Sequence, residues 1–219
     1  IKAFKAYRFN DDVVGNSGNC IAPPYDVIDD AGREALYAKS EYNIARITKG
    51  KQFATDSEQD NVYSRAAEYF NKWLEQGALK AEPEDTIYAY VQQFDAAGDT
   101  FTRSGFIALG KLAAFGKGVQ PHEKTLDGPK ADRLNLTRAT GAQFGQIFML
   151  YDDGQKVADK IIEQAATGEA IVELIDEEGV SHKIYAITAA DDKQAIIDMI
   201  ADKSPVIADG HHRYETALN

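Results

Sequence analysis

Near the end of the chain, Ser204-Pro-Val-Ile-Ala-Asp-Gly-His-His-Arg-Tyr-Glu-Thr-Ala217 reads as a short apolar strand that runs into a helix through Asp209, Gly210, His211, His212 and Arg213. The first amides of a helix lack intrahelical acceptors and carry partial positive charge. A strand that stops at glycine and restarts as a helix therefore presents N–H groups to an anion. Glycine at the break lets a ligand come close to the backbone. The two imidazoles add titratable donors, and the guanidinium adds a permanently charged planar fork suited to phosphate or carboxylate. Adjacent residues on a helix lie about 100° apart, so His211 and His212 point to different places and can hold different roles. Asp209 through Arg213 are expected to bind phosphate, with Asp209 also a good N-cap and His211 also a candidate acid–base group.

Two further polar clusters fall where the backbone is irregular. In Pro121-His-Glu-Lys-Thr125, four consecutive side chains can donate, accept or carry charge, and Lys130, Asp132 and Arg133 follow. A flexible approach through Gly116-Lys-Gly118 could close over a ligand. Glu123 is the candidate general base, His122 a second catalytic candidate, and Lys124, Thr125 and Arg133 are counted with the phosphate-binding residues. The other cluster is Ile21-Ala-Pro-Pro-Tyr-Asp-Val-Ile28, whose prolines hold an extended strap that presents Tyr25 and the catalytic candidate Asp26 at fixed positions. His122-Glu123 has no second histidine at helical spacing, which excludes the zinc-protease motif. Magnesium carried in with a nucleotide needs only one or two carboxylates, for which Asp26, Glu123 and Asp209 are candidates. Which metal, if any, is left open. Walker-type, GxGxxG and GxSxG patterns are absent, so the familiar phosphate-loop, dinucleotide and hydrolase signatures do not apply.

Composition narrows the classes. Against 24 Lys and Arg stand 35 Asp and Glu, a net charge of −11, which works against attachment to nucleic acid or to an anionic membrane. The single cysteine, Cys20, allows no internal disulfide and fits a small buried thiol in a reducing, cytoplasmic setting. No apolar run reaches the roughly 18 residues of a membrane helix. With 219 residues and 44% hydrophobic content the chain can bury one sizeable core. One α/β domain is expected over 1–219. The chain opens on Ile1 and closes about two turns into a helix, so it is expected to be the N-terminal part of a longer protein.

The elements that must position these clusters follow from periodicity. A strand is expected over 3–9, a helix capped by Asp29 or Asp30 up to 39, and a strand over 43–48. Thr55-Asp-Ser-Glu58 has the form of a capping box ahead of a helix whose stripe is Val62, Ala66, Phe70 and Trp73. Residues 86–94 and 100–109 form a hairpin around a longer turn at 95–99. A second hairpin pairs 170–175 with 180–188. Helices are expected over 129–140, 155–166 and 191–201, and a strand over 146–151. His182, in an alternating strand beside Lys183, is expected simply to face solvent. The fold class is therefore mixed α/β (α+β), a mixed sheet with two hairpins and flanking helices.

On Ala22-Pro-Pro-Tyr-Asp-Val-Ile28, Tyr42-Asn-Ile44, His122-Glu-Lys-Thr125, Asp132-Arg133 and Ala208-Asp-Gly-His-His-Arg-Tyr-Glu-Thr-Ala-Leu218, nearly the whole chain resembles the bacterial and archaeal family catalogued as domain of unknown function 1015. More distantly, the strand, Asp-Gly-His-x-Arg and helix arrangement is similar to the phosphate-binding box of the ParB and sulfiredoxin superfamily, which includes free-serine kinases. That likeness implies a phosphate role for His211, His212 and Arg213 and a nucleotide as cofactor, while the family resemblance favours a phosphorylated amino acid, with serine or phosphoserine foremost, as ligand. The function expected is phosphoryl transfer or phosphate-ester hydrolysis on a small metabolite. The alternative is a ParB-like nucleotide-binding regulatory module without turnover.

Overall fold

A computed structural model describes residues 1–123 and 127–219, the side chains of Asp127 and Pro129 excepted. In chain order the described elements are β1 (Tyr7–Phe9), α1 (Asp11–Val14), a 3-10 turn (Ser17–Asn19), α2 (Asp30–Lys39), α3 (Ala45–Thr48), α4 (Val62–Glu75), β2 (Leu79–Ala81), β3 (Ile87–Ala96), β4 (Asp99–Ile107), α5 (Asp127–Thr140), β5 (Phe148–Leu150), α6 (Val157–Ala165), β6 (Val172–Ile175), β7 (Ser181–Ile187), α7 (Ala190–Ile200), β8 (Val206–Asp209) and α8 (His211–Leu218). The class is mixed α/β, with three sheets among the described residues: β1-β2, β4-β3-β7-β6 and β5-β8. The contacts gather in two compact units. One comprises Ile1–Ala6, Glu82–His122 and Met149–Ala208, and the other comprises Tyr7–Ala81, Glu123–Phe148 and Asp209–Asn219.

In the first unit both expected hairpins join one sheet through β3 and β7, and its three ladders are all antiparallel. Register sets the core face: Ile87 lies opposite Ile187 and Ala89 opposite Tyr185, and all four pack on Ala158 and Ile162 of α6 and Ile196 of α7. The first hairpin closes more tightly than expected. Ala97 (φ 53) and Gly98 (φ 91) form a two-residue turn with both centres left-handed, the geometry that matches strand twist.

His182 differs from its expected place in solvent. Its side chain is half-buried, its Nε2 lies 2.8 Å from Asp176 Oδ2, and its Nδ1 lies 2.7 Å from the Tyr90 hydroxyl. A carboxylate can only accept, so Nε2 donates to Asp176. Partial burial works to raise the Asp176 pKa, but hydrogen bonds from His182 and from the Val180 and Glu178 amides outweigh it and hold the carboxyl below its ordinary value. A carboxyl so lowered contributes stability that is complete above the unfolded value of about 3.9 and is lost as pH falls through the lower folded value. The melting temperature of wild type should therefore exceed that of Asp176→Asn at neutral pH, with the gap closing only below about pH 4. A gap that stays constant down to about pH 2 would remove the carboxylate from the account.

In the second unit α4 carries the core stripe, with Ala66 fully buried and Trp73 enclosed by the rings of Phe9, Tyr42 and Tyr69. Its start is capped by Asn61, which accepts from the Tyr63 and Ser64 amides while Ser64 Oγ accepts from the Asn61 amide. The expected box at Thr55–Glu58 lies upstream, where the Ser57 amide donates to the Asp60 carbonyl and the Asp60 amide donates to Ser57 Oγ. Residues 43–48 do not form the expected strand. Asn43 Oδ1 accepts from the Ala45 amide and turns the chain into α3, although Ile44, Ile47 and Thr48 have β-branched side chains.

Candidate functional site

The proline strap is anchored at both ends. Ala22 and Ile28 pack with Leu36 and Ala45, and the Ile21 carbonyl accepts from Asn43 Nδ2 at 2.9 Å. Between these anchors the strap is not extended throughout: the Val27 amide bonds the Pro24 carbonyl (3.1 Å), which makes Tyr25 and Asp26 the central pair of a tight turn. Tyr25 is half-buried and Asp26 exposed. The Arg133 guanidinium of α5 lies over the Tyr25 ring, 4.0 Å from its centre. Burial pushes the Tyr25 hydroxyl pKa up first of all. Arg133 opposes that shift, Asp26 and Asp132 add to it, and Arg213 opposes it again. Those four charged groups therefore lie within electrostatic range of one phenol, which brings strap, α5 and the start of α8 together inside one unit.

Arg133 is held from behind. Its Nε donates to Asp132 Oδ2 at 2.8 Å, its Nη2 bonds the same oxygen, and Asp132 Oδ1 accepts from the Tyr63 hydroxyl at 2.9 Å. Sequence reading did not single out Tyr63. It stands 69 residues from Asp132, and nothing in its spacing points there. The helices α5 and α8 pack together, with Lys130 Nζ 3.7 Å from Glu215 Oε2.

At the start of α8 the cap is Gly210 (φ 94) and not Asp209, whose side chain makes no cap bond. Asp209 instead accepts from Arg213 Nη2, while Arg213 Nη1 bonds the Gln146 carbonyl. The guanidinium thus folds back over the helix start. A Cβ on Gly210 would stand 3.0 Å from Arg213 Nε, and one on Gly145 would stand 3.1 Å from Nη1, so both glycines make room for the fork. The pair with Asp209 is cheap to exchange, because the Asp209 side chain is 68% exposed and such pairs contribute about 0–1 kcal/mol. A bidentate contact with phosphate is charge-assisted on both sides and competes well for the same fork.

The histidines separate as expected. His211 is 1% exposed, with Nδ1 3.0 Å from Glu123 Oε1, and His212 is half-buried. The sealed imidazole cannot itself be the group that meets a ligand. The Glu123 carboxylate beside it, 54% exposed, can. His122 belongs to the first unit, where its Nδ1 donates to the Ile207 carbonyl at 2.5 Å. Lys124 and Thr125 lie outside the described residues. Among the described residues no three His, Cys, Asp or Glu side chains gather as a metal cage. Asp26, Glu123 and Asp209, the three expected magnesium candidates, therefore do not form such a cage together. Cys20 is buried, and that burial chiefly raises its pKa, so the thiol stays protonated and unreactive.

Among the described residues no helix is long and apolar enough to cross a membrane. The family model described as "Protein of unknown function (DUF1015)" matches residues 1–219, and the chain belongs to that family. No curated protein and no solved structure matches it.

Proposed function

We propose that this member of the family handles a phosphorylated small metabolite at the start of α8, transferring or hydrolysing a phosphoryl group. The observation that carries the proposal is the exchangeable Arg213 fork at a glycine-opened helix start, with the exposed carboxylate of Glu123 3.0 Å from the first residue of that helix. In the reaction, Arg213 leaves Asp209 for the phosphoryl oxygens, and His212 and the first α8 amides add donors. Arg133, fixed on Tyr25 and Asp132, contributes charge. Glu123 takes the proton from the attacking hydroxyl or water as its oxygen bonds to phosphorus and the bond to the leaving oxygen breaks. The named carboxylates (Asp26, Glu123, Asp132, Asp209, Glu215) outnumber the cations (Lys130, Arg133, Arg213). That balance suits a phosphate that brings magnesium with it, as a nucleotide does. Serine or phosphoserine is the leading substrate.

The burial of His211 favours a second reading, a ParB-like nucleotide-binding module that binds without turnover. Incubation with ATP, ADP or CTP, magnesium, and serine or phosphoserine separates the two. The enzyme is expected to release phosphate or phosphorylate the amino acid, and Glu123→Gln should slow this about 100-fold or more, in the range of general-base loss. Saturable nucleotide binding with no turnover would select the module. If neither occurs, both readings fall.

A further inference from the structure

Away from that site, the second unit contains a small cavity of about 60 Å³ among α2, α3 and α4, with walls that include Tyr37, Arg46, Lys51, Phe53, Arg65 and Tyr69. A groove of about 190 Å³ adjoins it, sharing Arg65 and Tyr69 and adding Glu68 and Lys72. The three cations differ in how they are neutralised. Arg65 meets Asp56 at 2.9 Å and Asp60 at 2.8 Å, and Lys51 meets Glu34 at 2.6 Å. Arg46 has no carboxylate within ion-pair distance among the described residues. Its Nη2 and Nε are held by the Tyr37 and Ser40 carbonyls (2.8 and 3.4 Å), and Nη1 donates to none of the described residues. Its guanidinium is flanked by the rings of Tyr37 at 4.3 Å and Tyr69 at 5.9 Å. In a chain of net charge −11, a guanidinium fixed by two carbonyls, flanked by two aromatic rings and lining a cavity without a counter-charge is a preorganised anion receptor.

We propose that this cavity is a second binding site, for a small organic oxyanion. The carboxylate or phosphate head sits on Arg46 Nη1, and the body of the molecule lies in the adjoining groove along Tyr69. A single water takes about 10–15 Å³ of such space, so the cavity has room for an oxyanion head. The groove can take a ring or short chain, with Glu68 and Lys72 offering one charge of each sign to its substituents.

The test is an amide-resolved NMR titration of the full chain with two probes, inorganic phosphate and benzoate. At least one should give saturable shifts at Gly50, Lys51, Phe53, Arg65 and Tyr69. Phosphate alone would identify a phosphoryl head, and benzoate alone a carboxylate. Arg46→Met should weaken binding about tenfold or more, the range of a lost hydrogen bond to a charged group. Phe53 is 51% exposed, so Phe53→Glu sets a like charge at the mouth without disturbing the core, and it should weaken binding even if the Arg46 variant does not fold. The proposal is overturned if neither probe moves these amides at tens of millimolar, or if the shifts survive in both variants. Shifts confined to Gly210, His211, His212 and Arg213 overturn it as well, and leave the phosphoryl site standing.

Discussion

Replacing Arg213 with alanine is expected to weaken binding of a phosphate-bearing ligand by roughly 10- to 150-fold, the loss of about 1.5–3 kcal/mol carried by a hydrogen bond to a charged group. The fork has two duties that the variants separate. One is structural: Arg213 bonds the Gln146 carbonyl and covers Gly210, and losing a partly exposed bond of this kind costs about 1 kcal/mol, too little to unfold the unit. The other is binding. Arg213→Lys keeps the charge and loses the planar pair of donors, so it should fall between wild type and alanine. Asp209→Asn removes the competing carboxylate and should tighten binding of inorganic phosphate several-fold in the absence of magnesium. Calorimetry reads all three, with melting curves to confirm folding. An Arg213→Ala protein that stays folded and binds phosphate as wild type does would end the phosphoryl proposal, whatever the Asp209 variant does.

Elements whose pattern is set by neighbours in sequence were legible before any coordinates. Both hairpins, the Asp29-capped α2, the Trp73 stripe of α4 and the terminal strand–helix break all follow from periodicity and turn chemistry acting within a few residues. The differences arise where a side chain bonds locally against its propensity, or over a long separation. Asn43 turned a β-branched run into α3 by accepting from Ala45. His182 is drawn from solvent by Asp176, six residues away, and by Tyr90, which is 92 away. The candidate site divides in the same way. Its residue types were visible, and so was the divergence of His211 from His212. The Asp209–Arg213 pair is i,i+4 and Asp132 and Arg133 are neighbours, so their pairing was open to a local reading that the N-cap expectation displaced, whereas the approach of His211 to Glu123 and the Tyr63–Asp132 bond join residues far apart in the chain. The single-cysteine argument is local in its premise and agrees with the buried, protonated Cys20.

The strap that carries Tyr25 has its own expected failure point in Asn43. This side chain is fully buried, and all its bonding capacity toward backbone is used: Nδ2 donates to the Asn19 and Ile21 carbonyls at 2.8 and 2.9 Å, and Oδ1 accepts from the Ala45 amide at 3.0 Å. Alanine at this position would leave two carbonyls and an amide without the partners the fold supplies, and opening the region to water would cost the packing of Ile28, Leu36 and Ala45. An unsatisfied buried group costs about 1–3 kcal/mol, so a loss of roughly 3–5 kcal/mol is expected. In a chain of this size that lowers the melting temperature by roughly 6–20 °C. Asn43→Asp tests the geometry more finely. It keeps the acceptor for Ala45 but sets a buried carboxylate against two carbonyl oxygens, so it should destabilise at least as much as alanine at neutral pH and recover as the carboxyl protonates in acid. Because the Ile21 carbonyl begins the strap, both variants should also loosen the Tyr25–Arg133 stack. Phosphate affinity should then fall below the level that global stability alone explains, measured well under the melting temperature. If Asn43→Ala melts within about 1 °C of wild type, the strap is held by its apolar anchors and not by this amide.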